Sequence, residues 1–565
     1  MNKHRANNCL STISLLLPMF LAFGCASDTG ITPSATSKST SIQNQRATIF
    51  TNANVLTMAD AQANASTVVI RGERIVAVGG DDIAKAYPKG RKINLAGKTL
   101  IPGFNDTHIH INGNAAHYID LTKVRSIAEI QTLVKARAKR LGKNQWITGY
   151  GWSEDELSEA RKPTRFDLDT AAPNNPVVLT RAGAHSAVAS SSALVLAGFE
   201  RDSADPENGS LERDPNGELT GIIRERHDIV LALAPPASDA ELATSLSANL
   251  KALFALGITS ITQASATAET LQRWQQIYAT SPLDHPRAAV QLLWPGKQEF
   301  AAFEGRSGQG DKHFRVGPLK IFVDGGFTGP AAYTKAPYRG EASYRGKLAL
   351  SEQELAEILD TAHSAGWQMG IHAIGDAAIE LVVDELAAVL ARAPRDYHRH
   401  YLNHFTVMPS DATMQTMAAN NIWITQQPNF TYTLEGRYTT YLDGERLSKN
   451  NALRTPMDHG IFMALSSDVL PIGPMTGIYA AVTRRGMSGA QYGPEEALST
   501  LEALRGYTRN AAYFTFEEAI KGTIEVGKLA DLVVLEADPL MLAPEELLNL
   551  QVEQTWLGGK RVFKR

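Results

Sequence analysis

The sequence predicts an α/β protein built on a (β/α)8 barrel, with a small β domain assembled from both ends of the chain and a lid inserted after the first barrel strand. Three observations carry that prediction. Eight apolar, β-branched runs recur between residues 99 and 470, with helix-patterned segments between them. Strand, glycine turn, strand patterns occur at both ends, and neither end by itself has enough strands to bury a face. The barrel region, 99 to about 520, far exceeds the roughly 250 residues that such a barrel uses, so it must hold an insertion.

Taken in order, residues 1–24 have the layout of an export signal: Lys3 and Arg5, an apolar run from Ile13 to Phe23, then Gly24 before Cys25. The run is too short to span a bilayer stably. A small residue followed at once by Cys resembles the lipobox of bacterial lipoproteins, with Cys25 as the lipid-modified first residue of the mature chain. The match departs from the pattern at Ala22, where leucine is usual, and a plain cleaved signal is the alternative. Ala26 follows Cys25, so the aspartate that often retains such proteins in the inner membrane is missing. The expectation is an exported outer-membrane lipoprotein, otherwise a periplasmic protein. Residues 25–46 are Ser, Thr, Gly and Pro with few large apolar side chains, a flexible tether.

Residues 47–98 and 521–565 read as the two parts of the terminal β domain, and 99–520 as the barrel. The expected barrel strands are 99–110, 257–265, 287–294, 318–325, 367–375, 399–407, 422–429 and 462–470. Ser351 with Glu354 three residues later is a capping box that starts one of the intervening helices. The insertion is expected at about 112–245, a loop-rich stretch that includes DSADPENGSLERDPNGELTG.

Composition removes several function classes. With 55 basic against 59 acidic residues among 565, the chain lacks the basic surplus that nucleic acid demands. Two cysteines cannot build a thiolate zinc site, and cleavage before Cys25 discards Cys9 and leaves the other as a lipid anchor far from the folded part. No GxSxG elbow occurs, so a serine hydrolase has no visible nucleophile.

The polar residues at the C-terminal ends of the expected strands carry the chemistry, because that rim is where such barrels place catalysis. His108 and His110 close the first strand and, two apart, share one side. Lys320 lies inside the fourth strand, His372 near the end of the fifth, His404 near the end of the sixth and Asp468 at the end of the eighth. Each by itself has an ordinary structural reading. Their convergence on one rim does not.

The segments LIPGFNDTHIH, PVVLTRAGAHS, GPLKIFVDGG, GIHAIGDAAIE, LNHFTV, LSSDVLP and GTIEVGKLADLVVLEADP resemble the metal-dependent amidohydrolases, and within them the YtcJ-like, amidohydrolase 3 branch that includes N-substituted formamide deformylases. The resemblance covers nearly all of the chain after residue 47. It implies a distorted (β/α)8 barrel with a β-sandwich from both termini. It further implies that His108 and His110 hold one divalent metal and His372 and His404 a second. Lys320, carboxylated by CO2 to an anionic carbamate, would bridge them. Asp468 would ligate the first metal and act as general base toward a bridging hydroxide. Zinc suits such ligands, with Mn, Fe or Co also compatible. His185, within RAGAHS, matches a histidine of the inserted region that could close over the substrate.

Asn403 stands where many relatives carry Glu; as the strand neighbour of His404 it is expected to face the other side and to affect the packing around the ligands, not the number of metals. His400 is a minor alternative ligand, and Asp324 and Asp376 are expected to orient ligands or cap helices. The function implied is hydrolysis of a C–N, amide-type bond in a small molecule. Alternatives are a related metal-barrel deaminase or esterase/lactonase, and a non-catalytic lipoprotein that captures a ligand or metal. Expected partners are the small-molecule substrate and, through the lipid on Cys25, a membrane; no nucleic acid is expected, and a homo-oligomer is left open.

Overall fold

A computed structural model describes residues 45–60, 65–154, 157–182, 186–327 and 329–565. The signal, the tether up to residue 44, both cysteines and His185 lie outside the described residues.

Eight parallel strands form one sheet: β1 (Phe104–Ile109), β2 (Ile258–Ala266), β3 (Arg287–Leu293), β4 (Phe314–Phe322), β5 (Met369–Ala373), β6 (Tyr401–His404), β7 (Trp423–Gln426) and β8 (Met463–Leu465). Each pairs with its sequence neighbour, from β1 through to β8. The ring is drawn shut just past β8, where Asp468 makes a parallel bridge to Ile109 and donates its N–H to the His108 carbonyl at 2.8 Å. This is the distorted α/β barrel that the strand count predicts.

Alternation explains the wall. Ile261, Leu292, Ile321, Ile371, Leu402 and Ile424 share one buried core with Leu355, Leu359, Ile379 and Val383 of the surrounding helices. Residues between them on the strands are polar and lie on the other side, Lys320 and Asn403 buried and His372 nearly so. The helix Glu352–Ser364 opens with the expected capping box of Ser351 and Glu354. The helix Asp239–Ala252 contributes Leu246 and Leu250 to the barrel core.

The last four expected strands are shorter than their apolar runs, ending at Ala373, His404, Gln426 and Leu465, and two others have shifted limits. The run at 99–110 is two strands, because Pro102 offers no N–H and Gly103 turns its own N–H to the Asp531 carbonyl. Thr99–Pro102 pairs antiparallel with Leu532–Leu535 in the terminal β domain, and only β1 enters the barrel. β4 starts at Phe314, before Pro318. The register shift between Val290 and Leu292 on β3 lets that proline sit inside the strand.

Both ends of the chain build the second layer. A four-stranded sheet (Arg74–Gly79, Thr67–Arg71, Thr48–Thr51, Arg91–Asn94) faces a five-stranded one that joins Asn54–Val55 and Thr99–Pro102 to Leu532–Leu535, Val552–Leu557 and Lys560–Lys564. Phe50, Ile70, Leu532, Val534 and Trp556 fill the space between them. Asp531 fastens this layer to the barrel through a two-pronged pair with the buried Arg287, at 2.6 and 2.9 Å.

After β1 the chain builds a separate six-stranded sheet from Tyr118–Asp120, Ile147–Trp152, Val177–Arg181, Ser186–Ala189, Ser210–Arg213 and Leu219–Arg224, with its own apolar clusters around Trp152 and Ile223. Among the described residues no helix is long and apolar enough to cross a membrane.

Candidate metal centre

The barrel brings five of the six expected ligands into one chain of short contacts. β1 delivers His108 and, one residue beyond it, His110, their ring centroids 5.4 Å apart. Nε2 of His108 lies 3.6 Å from Asp468 Oδ2, and Nε2 of His110 lies 3.6 Å from Asp468 Oδ1. The ligand atoms of these three residues fall within 4.8 Å of one another, a spacing that one ion can fill. The ring of His404 is 4.9 Å from that of His108 and 4.4 Å from that of His372, so the imidazoles of β5 and β6 continue the same cluster. The sixth residue, Lys320, enters from β4, in register with Gly370 two residues before His372, and its charge acts on Asp468 and on all four imidazoles.

Two of the ligands owe their position to left-handed backbone. β6 ends at His404, with φ of 80°, followed by Phe405 at 51°. Asp468 has φ of 56°. Such conformations are rare for residues with a Cβ and gather at functional sites. The turn at His404 also corrects the expectation for Asn403. Asn403 is in register with His372 and faces inward with it, and its Oδ1 accepts the His108 Nδ1–H at 2.6 Å. His404 reaches the cluster because the strand breaks there, so strict alternation stops one residue too soon to predict its neighbour.

The ring nitrogens are sorted by their partners. Asn403 takes the Nδ1 proton of His108, and Gln427 Oε1 accepts from Nδ1 of His404 at 2.8 Å. The His108 ring therefore turns Nε2 to the cluster as an acceptor, the form a metal requires, while the Gln427 contact fixes the orientation of the His404 ring. Burial lowers His108, His372 and His404 well below the usual imidazole range, with the Lys320 charge adding to the effect, and brings His110 down to about 4. All four are neutral at pH 7. Burial likewise lowers Lys320, against the pull of Asp468, and raises Asp468, against the pull of Lys320.

The residues fit a divalent ion. Among the described residues, His108 Nε2, His372 Nε2 and Lys320 Nζ are buried without a hydrogen-bond partner, and a fold does not leave such atoms unpaired without cause. Neutral imidazoles and a carboxylate are a donor set for a divalent metal.

Asp324 accepts from the N–H groups of Tyr333, Ile374 and Gly375 at 2.8 to 3.0 Å, which fixes the turn just after β5, and lies 3.7 Å from His372 Nε2. Asp376 opens the helix Asp376–Arg392 and accepts the Lys335 N–H. His400 stands apart from the centre: Nδ1 accepts the Met369 N–H and Nε2 meets His363 Nδ1 at 2.9 Å. Sequence reasoning missed Gln427 and Asp106. Asp106 accepts from the N–H of Ser467 at 3.0 Å and of His108 at 3.3 Å, and burial pushes it up to about 7. The polar run TQQPN at the end of an otherwise apolar strand was the available signal for Gln427.

Over residues 91–563 the chain matches the amidohydrolase family. It is 30% identical over 538 residues to the N-substituted formamide deformylase of Arthrobacter pascens, covering 91% of this chain and 98% of that one. It is 29% identical over 496 residues to YtcJ of Bacillus subtilis (strain 168), covering 85% and 91%. A solved structure, an uncharacterized metal-dependent hydrolase from Pyrococcus furiosus, is similar with a TM-score of 0.68 at 25% identity, covering 87% of this chain and 100% of that one. Matches of this extent, on a barrel whose rim carries the ligands of a divalent ion, make the chain a member of the amidohydrolase family and a metal-dependent hydrolase.

Proposed function

We propose that this enzyme hydrolyses the C–N bond of a small amide-type substrate, using two divalent metals, zinc foremost, bridged by a carboxylated Lys320. The observation that carries the reading is the convergence of His108, His110, Lys320, His372, His404 and Asp468 at one end of the barrel. The amide class is supported by the deformylase that shares 30% of its residues with this chain.

His108, His110 and Asp468 would hold one ion, and His372 with His404 the other. A lysine ammonium would repel both, whereas burial favours the free amine of Lys320. That amine can attack CO2: the N–C bond forms, one N–H proton leaves to solvent, and the product is an anionic carbamate with two oxygen donors. When bound, the metals supply acidified water and polarise the scissile carbonyl. Asp468, held up by burial, takes the proton from the attacking water and passes it to the departing nitrogen.

Metal per chain, counted before and after Lys320→Ala, tests the reading; unchanged content with unchanged hydrolysis would overturn the bridged pair. A hydrolysis screen of N-formyl, N-acyl and cyclic amides, read by mass spectrometry, tests the bond class. A single-metal variant, with deaminase or ester chemistry, draws on the compact triad of His108, His110 and Asp468; one ion per wild-type chain would decide for it. Export and lipidation at Cys25 belong to the same proposal, tested by the mass of the mature N-terminus.

A further inference from the structure

We propose that the substrate carries an apolar substituent beside its reacting carbonyl, received between Phe322 on one side of the centre and Val469 with Leu470 on the other. This deepens the reading above and rests on it.

A lone exposed apolar side chain is ordinary on a protein surface. These three differ in where they stand. Phe322 ends β4 two residues after Lys320 and is in register with His372, so it shares the side of the wall that faces the centre. Its ring is 5.2 Å from the His372 ring and 4.7 Å from Lys320 Nζ, yet the residue keeps 37% of its surface exposed. Val469 and Leu470 follow Asp468 directly and are 42% and 36% exposed. The line from Phe322 runs through His372, His404 and Asp468 to Val469, by ring separations of 5.2 and 4.4 Å and a 3.9 Å approach of His404 Nδ1 to Asp468 Oδ2. Phe322 ends β4 and Val469 lies just past β8, four strands further round the barrel, so the two stand on different sides of the imidazole cluster.

Their exposure is held in place. Asn429 Nδ2 donates to the carbonyls of Ser467 at 2.6 Å and Leu470 at 3.0 Å, and Thr433 Oγ1 donates to Leu470 at 2.7 Å. Phe322 is set by the last pairing of its strand. Apolar side chains fixed in the open at a reacting centre gain their burial from the ligand, and an apolar group on that ligand gains in proportion to the area covered. A charged substituent would lose its hydration there with nothing in these three side chains to replace it.

Hydroxamic acids test this without requiring turnover, since the hydroxamate grips the metal and the tail explores the walls. Binding of acetohydroxamic, hexanohydroxamic, benzohydroxamic and succinic monohydroxamic acids to the metal-loaded enzyme is measured by calorimetry. The apolar tails are expected to bind about tenfold more tightly than acetohydroxamate, and the succinic tail no more tightly than it. In Val469→Ser and in Phe322→Ser that preference should shrink to about twofold, each variant's affinities being compared with its own acetohydroxamate affinity at measured metal content. Equal binding of all tails, a tighter succinic tail, or an undiminished preference in both variants overturns the proposal. Failure of every probe to bind overturns the metal reading and the proposal together. Graded binding without hydrolysis of any amide supports the apolar walls and removes only the amide reading.

Discussion

Asn403 Oδ1 lies 2.6 Å from Nδ1 of His108, across 295 residues of sequence. The bond keeps the His108 proton on Nδ1 and leaves Nε2, 3.6 Å from Asp468, free to bind an ion. Partners of this kind are worth about 10- to 100-fold in metal affinity. Asn403→Ala is therefore expected to weaken metal binding by that range, measured by chelator competition, with little change in the thermal midpoint of the apo protein. Wild-type affinity in the variant would show that the bond does not tune the ligand.

In the proposed mechanism Asp468 would combine a ligand's place with a base's. Asp468→Asn keeps an oxygen donor and removes the proton acceptor. On whichever amide the screen identifies, kcat should fall by roughly 10²- to 10⁴-fold, while at least one ion per chain remains. Retained kcat would assign the proton to another group.

The pair of Arg287 and Asp531 ties the barrel to the terminal β layer with both partners buried. Removing one charge strands the other away from water, at a cost of roughly 3 to 5 kcal/mol. Asp531→Ala should lower the denaturation midpoint accordingly, and the double variant Arg287→Met, Asp531→Leu should recover much of it. A double variant as unstable as the single one would show that the pair is worth more than the packing it replaces.

Before β6, at the end of the strand away from His404, His398 Nδ1 accepts the His400 N–H at 2.9 Å, and its Nε2–H donates to the Asn420 carbonyl at 2.9 Å. No site is left for a second proton, and burial holds this imidazole down at about 4 from 6.5. As pH falls below 6.5 the unfolded chain takes the proton and the folded chain does not. Stability is whole above about 6.5 and drains away toward 4, by up to about 1.4 kcal/mol per pH unit for one such group. Thermal melts across that window should show the decline, and His398→Asn should flatten it; parallel slopes would clear His398 of the effect.

The legible part of this site is the part that obeys a period of two. Lys320, His372 and His108 lie on regular strand and His110 one residue past its end, so spacing placed them. His404 and Asn403 lie where β6 gives way to left-handed backbone, which no alternation pattern carries, and the facing of Asn403 came out reversed. The division at Pro102-Gly103 was present as a residue pair but needed the Asp531 carbonyl, over 400 residues away, to take on meaning. The cluster of His363, His398 and His400 and the contact of Gln427 with His404 join separate elements, and only the closed barrel brings them together.

The seam of the barrel passes through its reactive end. Asp468 reaches His108 by a backbone bond, and Ser467 reaches Asp106 across 361 residues. Joining such distant positions comes late, because the loop between them must first be ordered. A chain that stops before residue 463, as one still being made does, has neither its last strand nor Asp468. Half-finished molecules are thus chemically silent, and activity in any preparation counts only those molecules that have completed the circle.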